Sequence, residues 1–241
     1  MTRRAMLRIG IVVCLIALTA AIFLSEIPSS RTWTHWTLPL SGKVIALDAG
    51  HGGADGGATS REGVIEKDLN LAIALYLRDY LQQAGALVLL TREGDYDLAQ
   101  PDTRGYSRRK TEDLLRRADQ INRQRPNLAV SIHMNSIPSP RWSGAQTFYS
   151  GKNEEGKRLA SDIQSELRVS LGNTQRIAKP ADTIYLLKTL QMPTALVEVG
   201  FLSHPGEASL LAEADYQRKV AASIYRGILR YVSGDSGKPV L

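Results

Sequence analysis

Val44-Ile45-Ala46-Leu47-Asp48-Ala49-Gly50-His51-Gly52-Gly53 is the stretch from which the fold can be read. Four apolar residues in a row, with Gly42 before them and a glycine cluster behind, read as a short strand covered on both faces. The chain then breaks into Gly50, Gly52, Gly53, Gly56 and Gly57, with His51 in their midst. Loops at strand ends, held by a rigid sheet, are where α/β folds place their chemistry. No Gly-Lys-Ser/Thr closes this loop, so it is not a Walker A phosphate cradle. A metal-binding or catalytic histidine and a glycine turn with an incidental histidine both remain open at this point.

Outward from this strand, apolar residues at intervals of three and four (Leu69, Ile73, Tyr76, Leu77, Tyr80, Leu81) predict a helix over 64–83 that Gly85 ends. Strands are predicted at 86–90, 128–133, 144–149 and 194–199, with helices at 107–125, 154–171 and within 207–232. Thr183 to Leu187 reads as a short strand or a turn. In the helix over 107–125, Leu114, Leu115, Ala118 and Ile121 are expected inward. Arg108, Arg109, Lys110, Arg116, Arg117, Arg123 and Arg125 are expected outward, as a solvated face or one meeting an anionic polymer. Alternating strands and helices predict an α/β domain: a three-layer sandwich, its central sheet of about six mostly parallel strands carrying helices on both faces.

The chain has 241 residues, 43% of them apolar, and a net charge of +6. Its single cysteine, Cys14, excludes an intrachain disulfide and a cysteine-based zinc site. Arg3, Arg4 and Arg8 precede an apolar run from Ile9 to Leu24, 16 residues against the about 20 that span a bilayer. Basic residues ahead of such a run place the N-terminus in the cytoplasm and export the rest. Residues 1–26 are therefore expected to be an uncleaved membrane anchor, with a cleaved signal segment as the alternative. Residues 27–42, with Trp33, His35 and Trp36, read as a linker, 43–233 as the catalytic domain and 234–241 as a flexible tail. The charge alone would suit nucleic acid; the exported topology argues against it.

Three further residues stand out. His133 ends an apolar strand in Ser131-Ile132-His133-Met134-Asn135. Glu66 opens the first helix, where acids are favoured by the free N–H groups in any case. Glu198 lies inside Ala195-Leu196-Val197-Glu198-Val199-Gly200-Phe201, where a carboxylate costs several kcal/mol unless it is paired or bound to a metal. Two imidazoles and a carboxylate make a zinc set with an open position, and a second carboxylate would serve as general base. The four are scattered, without the compact His-Glu-x-x-His signature, so spacing alone does not assemble them.

Taken in order, the motifs around His51, Glu66-Lys67, His133 and Glu198 resemble those of the zinc-dependent N-acetylmuramoyl-L-alanine amidases, and the likeness runs from about Lys43 to Val232. The family cleaves the amide between the lactyl group of muramic acid and the first alanine of the peptidoglycan stem peptide. Gly105 to Lys110, Trp142-Ser143-Gly144-Ala145-Gln146 and Ala221 to Tyr225 resemble the membrane-anchored, germination-related spore-cortex branch, in which a partner deacetylase completes muramic-δ-lactam. His204 departs from the asparagine expected there and reads as structural. The resemblance implies Zn2+ held by His51, Glu66 and His133. It implies Glu198 as the residue that takes a proton from the attacking water and returns one to the leaving amine. Asp48 and Asn135 are candidates to orient a ligating imidazole. Expected partners are glycan strands with their stem peptides, the membrane, and a separate activator or the deacetylase. A zinc peptidase cutting within the stem peptide and a catalytically inactive wall-binding module are the alternatives. Some cell-division relatives carry a helix that plugs the zinc site after the strand equivalent to 144–149. Here Ser150-Gly151-Lys152-Asn153 leaves no room for one, so an open site is expected.

Overall fold

The computed structural model describes residues 3–24 and 38–235. The chain divides into two compact units, Met1–Thr37 and Leu38–Leu241. In the first, α1 spans Arg3–Leu24, with Ile11, Val13, Leu15, Ile16 and Leu18 exposed. Among the described residues no helix is long and apolar enough to cross a membrane. The tether positions Trp33, His35 and Trp36 and tail residues 236–241 lie outside the described residues.

The second unit follows the order β1 (Val44–Ala49), α2 (Glu66–Gln83), β2 (Leu87–Leu90), α3 (Tyr106–Gln124), β3 (Leu128–Asn135), β4 (Gln146–Tyr149), α4 (Glu154–Leu171), β5 (Lys179–Pro180), α5 (Tyr185–Thr189), β6 (Thr194–Phe201), α6 (Pro205–Leu211) and α7 (Ala214–Ser233). The six strands form one sheet in the order β2-β1-β3-β6-β4-β5. β2, β1, β3 and β6 run parallel, and β4 is antiparallel to β6. The expected sandwich is what forms. Leu40, read as linker, is instead fully buried, and its N–H donates to the carbonyl of Ala84, because two apolar residues (Leu38, Leu40) precede the strand. Thr183–Leu187 is not a strand: Tyr185 begins helix α5, and the small strand lies earlier, at Lys179–Pro180.

Strand periodicity sorts the residues between two cores. Ile45, Leu47 and Ala49, then Leu128, Val130, Ile132 and Met134, then Ala195, Val197 and Val199 join the large cluster, which also takes in the apolar faces of α2, α4 and α7. Ala46 and Ala129 join the smaller cluster with Ala118 and Ile121 of α3 and Leu186 of α5. Successive side chains point to opposite faces, so Asp48, Ser131, His133 and Glu198 all fall on the α3/α5 side. Glu198 interrupts an apolar strand because its position in the alternation faces away from the large core. Leu115, expected inward, is exposed.

Candidate active site

β1 leads through α2 outward to β2, whereas the chain after β3 builds the other half of the sheet. The crevice between such strands, at their C-terminal ends, is where open α/β sheets bind ligands. His51 follows β1 and His133 lies near the end of β3, on the two sides of that crevice. In the β3–β6 register His133 stands opposite Glu198.

Three of the predicted residues meet. Oε1 of Glu66 lies 3.2 Å from Nε2 of His51 and 3.1 Å from Nδ1 of His133. One ligand atom from each residue falls within 4.8 Å of the others. The two rings stand edge to face, 5.1 Å between centroids. Glu66 is buried at the first turn of α2; its Oε1 also accepts the N–H of Met134 (3.0 Å), and its Oε2 accepts that of Ala58 (2.8 Å). Glycines make the approach possible. A Cβ on Gly50 would overlap the His133 ring, and one on Gly57 would come 2.6 Å from Glu66 Oε2 and 2.7 Å from His51. These donors suit a divalent metal in number and type. Among the described residues no fourth side-chain ligand completes the group.

Glu198 lines the same cavity of about 300 Å³, whose apolar wall includes Leu114, Ile184 and Leu196. Its Oε2 is buried without a hydrogen-bond partner among the described residues. Burial pushes its carboxyl up, and the charge of Glu66 adds to this, to about 7 despite the pull of His133 and His51. Burial opposes charge on His51 too, but its hydrogen bonds to Asp55 and Glu66 outweigh it and raise the imidazole to about 9. For Glu66, burial is outweighed by the two histidines, which hold its carboxyl well below the usual range.

His51 has φ 61, the left-handed region that non-glycine residues rarely occupy. Two buried arginines grip the backbone around it. Arg92 donates to the carbonyls of Ala49 (2.9 Å), Gly50 (3.0 Å) and Lys67 (2.7 Å). Arg117 donates to the carbonyls of Ala49 (2.7 Å) and His51, and to Asp48 (2.9 Å) and Asp113 (2.8 Å). Arg117 was expected outward; it is buried instead. Spacing by four from Asp113 and to Ile121 sets it on the inner stripe of α3, which was the signal available in the sequence.

Asp48 does not reach an imidazole: its carboxylate is taken by Thr91, Arg117 and Ser131. Asn135 gives its backbone carbonyl to the N–H of Leu202, and its side chain orients no ring among the described residues. The group that does is Asp55, whose Oδ2 sits 2.8 Å from Nδ1 of His51. Asp55 is held by the Tyr106 hydroxyl (2.8 Å), the Gly57 N–H (3.1 Å) and Lys110 (3.0 Å). Its place four residues after His51 was the available hint. His204 is structural: its Nδ1 accepts the N–H of Glu207 and caps α6.

An open α/β sheet with two imidazoles and a carboxylate in its crevice, faced by an unpartnered carboxylate, is the arrangement of hydrolases whose site could hold a metal. The N-acetylmuramoyl-L-alanine amidase family profile matches residues 45–230, and the chain belongs to that family. It is 53% identical over 218 residues to the germination-specific N-acetylmuramoyl-L-alanine amidase of Bacillus subtilis, covering 90% of this chain and 91% of that one. Among solved structures, the CwlD amidase from Clostridioides difficile in complex with the GerS lipoprotein superposes with a TM-score of 0.78 at 42% identity, over 80% of this chain and 100% of that one. AmiC2 of Nostoc punctiforme, also an N-acetylmuramoyl-L-alanine amidase, gives 0.70 at 30%, over 80% and 99%. The chain is thus an amidase of peptidoglycan and falls with the germination-related branch.

Proposed function

We propose that this amidase is zinc-dependent, with His51, Glu66 and His133 as ligands and Glu198 as general base and acid, and that it works in spore-cortex maturation toward muramic-δ-lactam. The observation that carries the site assignment is the convergence of both imidazole nitrogens on one oxygen of Glu66, with Glu198 across the strand pair. A bound zinc ion would supply Lewis acidity, lowering the pKa of a water and polarising the lactyl carbonyl. Glu198 Oε2, free of hydrogen bonds, accepts the proton of the attacking water and returns one to the alanine nitrogen as the amide breaks. Burial raises this carboxyl above its ordinary range, the direction that suits a group which must both take and return a proton. Asp55 keeps Nδ1 of His51 engaged, leaving Nε2 for the metal.

The cortex role rests on the likeness to the Bacillus subtilis enzyme. The GerS lipoprotein seated on the Clostridioides difficile relative supports a lipoprotein partner here as well. Residues 1–26 act as an anchor or signal and 27–37 as a tether, and the catalytic domain, taking in the buried Leu40, runs to 233 with a short tail after it; the anchor reading rests on Arg3, Arg4 and Arg8 ahead of the apolar run. The enzyme works outside the cytoplasm, where its substrate lies.

Mass spectrometry of purified peptidoglycan after digestion tests the chemistry. Whole stem peptides beginning with alanine, together with unsubstituted lactyl groups, are expected. Stem peptides cut at an internal bond would identify a peptidase instead.

A further inference from the structure

The cavity beside Glu198 is about 300 Å³, the low end of what holds even a small ligand, where pockets run roughly 300–1,000 Å³. A glycan strand with its stem peptide must continue past it over the neighbouring surface. Trp142 lies in the loop between β3 and β4, and 51% of it is exposed. A single exposed aromatic is ordinary in itself. Trp142 differs in how it is held and where.

The guanidinium of Arg176 sits 5.5 Å from the Trp142 ring centre and 5.4 Å from that of Phe201, the last residue of β6. It also donates to the Ser143 carbonyl from Nε (3.3 Å) and Nη2 (3.2 Å), and to Oε1 of Gln146 (3.4 Å). Gln146 stands directly opposite Glu198 in the β4–β6 register, so both side chains leave the same face of the sheet. One strand spacing is about 4.8 Å. The indole is thus braced by a guanidinium that is itself bonded to Gln146, the residue across the strand pair from Glu198, on the β4 side of β6 and away from β3. Of the five guanidinium N–H groups of Arg176, three are committed to Ser143 and Gln146, and the others remain able to donate.

We infer that Trp142 and Arg176 form a glycan subsite that seats an amino-sugar ring next to the muramic residue under attack. The apolar C–H face of a pyranose covers the indole. The free guanidinium N–H groups donate to an acetamido carbonyl or a hydroxyl, acceptors that every ring of this polymer offers. A ring system already braced by stacking and hydrogen bonds loses little freedom when the strand docks. The inference rests on the amidase reading and extends it to how the same site grips its polymer.

The test compares the zinc-loaded full chain with its Trp142→Ala, Trp142→Phe and Arg176→Ala variants on two substrates. One is intact peptidoglycan; the other is a single muramic acid carrying the stem peptide. An aromatic contact of ordinary strength corresponds to roughly 3- to 10-fold in affinity. Trp142→Ala should lower kcat/KM on the polymer by that factor beyond any change on the single-sugar substrate, through KM, and Trp142→Phe should recover most of it. Zinc content should match wild type. Equal losses on both substrates would mark a merely structural residue and overturn the inference, as would an unchanged KM on the polymer. So would a loss confined to binding of a protein partner. If wild type fails to release stem peptides from either substrate, it is the amidase reading that fails.

Discussion

Oδ2 of Asp55 stands 2.8 Å from Nδ1 of His51, while Nε2 of the same ring faces Glu66 at 3.2 Å. The carboxylate thus decides which nitrogen is free, and Tyr106, Lys110 and the Gly57 N–H fix the carboxylate in turn. Loss of such an orienting partner typically weakens metal affinity about 10- to 100-fold. Asp55→Ala is expected to show that loss in zinc competition against a chelator. His51→Ala with His133→Ala should abolish stoichiometric binding altogether. Zinc held as tightly in Asp55→Ala as in wild type would remove Asp55 from this role.

Arg117 predicts a stability effect. Its head group joins α3 to β1 and to the His51 loop through two carboxylates and two carbonyls. Removing one partner of a buried ion pair costs roughly 3–5 kcal/mol, because the remaining charge is stranded. Arg117→Ala should lower the urea midpoint accordingly, and Arg117→Lys should not restore it, since an ammonium cannot serve so many acceptors in one plane. Burial opposes the charge on Asp48, yet Arg117, the nearby His133 and the Ser131 hydroxyl together outweigh it and bring the carboxyl down from 3.8 to about 2. A lowered carboxylate stabilises the fold above its ordinary range, and that contribution is lost as pH falls toward the lowered value. Equal acid sensitivity of wild type and Arg117→Ala would show that the pair contributes nothing.

These two residues also show where the sequence stops being readable. β1, β3 and β6 are apolar runs between turn residues, and α2 and α4 have clear apolar stripes, so their identities follow from local pattern. Glu198 stands out because a carboxylate in an apolar strand calls for a compensating partner or a task. Asp55 and Arg117 carry only a weaker mark, a spacing of four from His51 and from Asp113. An aspartate in a glycine loop and one arginine among many on a helix become distinctive only when β1, α2 and α3 are packed together. Thr183 to Leu187 misled because five residues are too few to separate a helical from an extended period. Asp48 is expected from sequence to orient a ligating imidazole, but its partner is a guanidinium, a choice that depends on which helix covers that face.

Export is predicted from Arg3, Arg4 and Arg8 ahead of the apolar run of Ile9 to Leu24. A reporter joined after Thr37, the end of the first compact unit, should be active only outside the cytoplasm. Full-length protein should sediment with membranes if the segment stays attached. Recovery of a shortened soluble chain would identify a cleaved signal, and reporter activity inside the cell would refute export.

Glu198 gives the sharpest separation of roles. In the proposed role of general base it would contribute to rate without holding the metal, so Glu198→Gln should reduce turnover about 10²- to 10⁴-fold with zinc retained. Loss of zinc in this variant would make Glu198 a ligand instead. Wild-type activity should fall as pH drops through the carboxyl's own titration, which burial sets at about 7 in the metal-free protein; a bound cation nearby moves that midpoint lower. Stability has the opposite sign. The folded carboxyl titrates above its ordinary 4.5, so below that value both states are protonated and the residue is neutral to folding. As pH rises toward 7 the unfolded chain gives up the proton and the folded one does not, and stability is progressively lost. In metal-free protein, Glu198→Gln should therefore be more stable than wild type at pH 8, by on the order of 1–3 kcal/mol, and indistinguishable at pH 4. Thermal denaturation of the two proteins at both pH values measures this, and a variant less stable than wild type at pH 8 would show that Glu198 has a stabilising partner there.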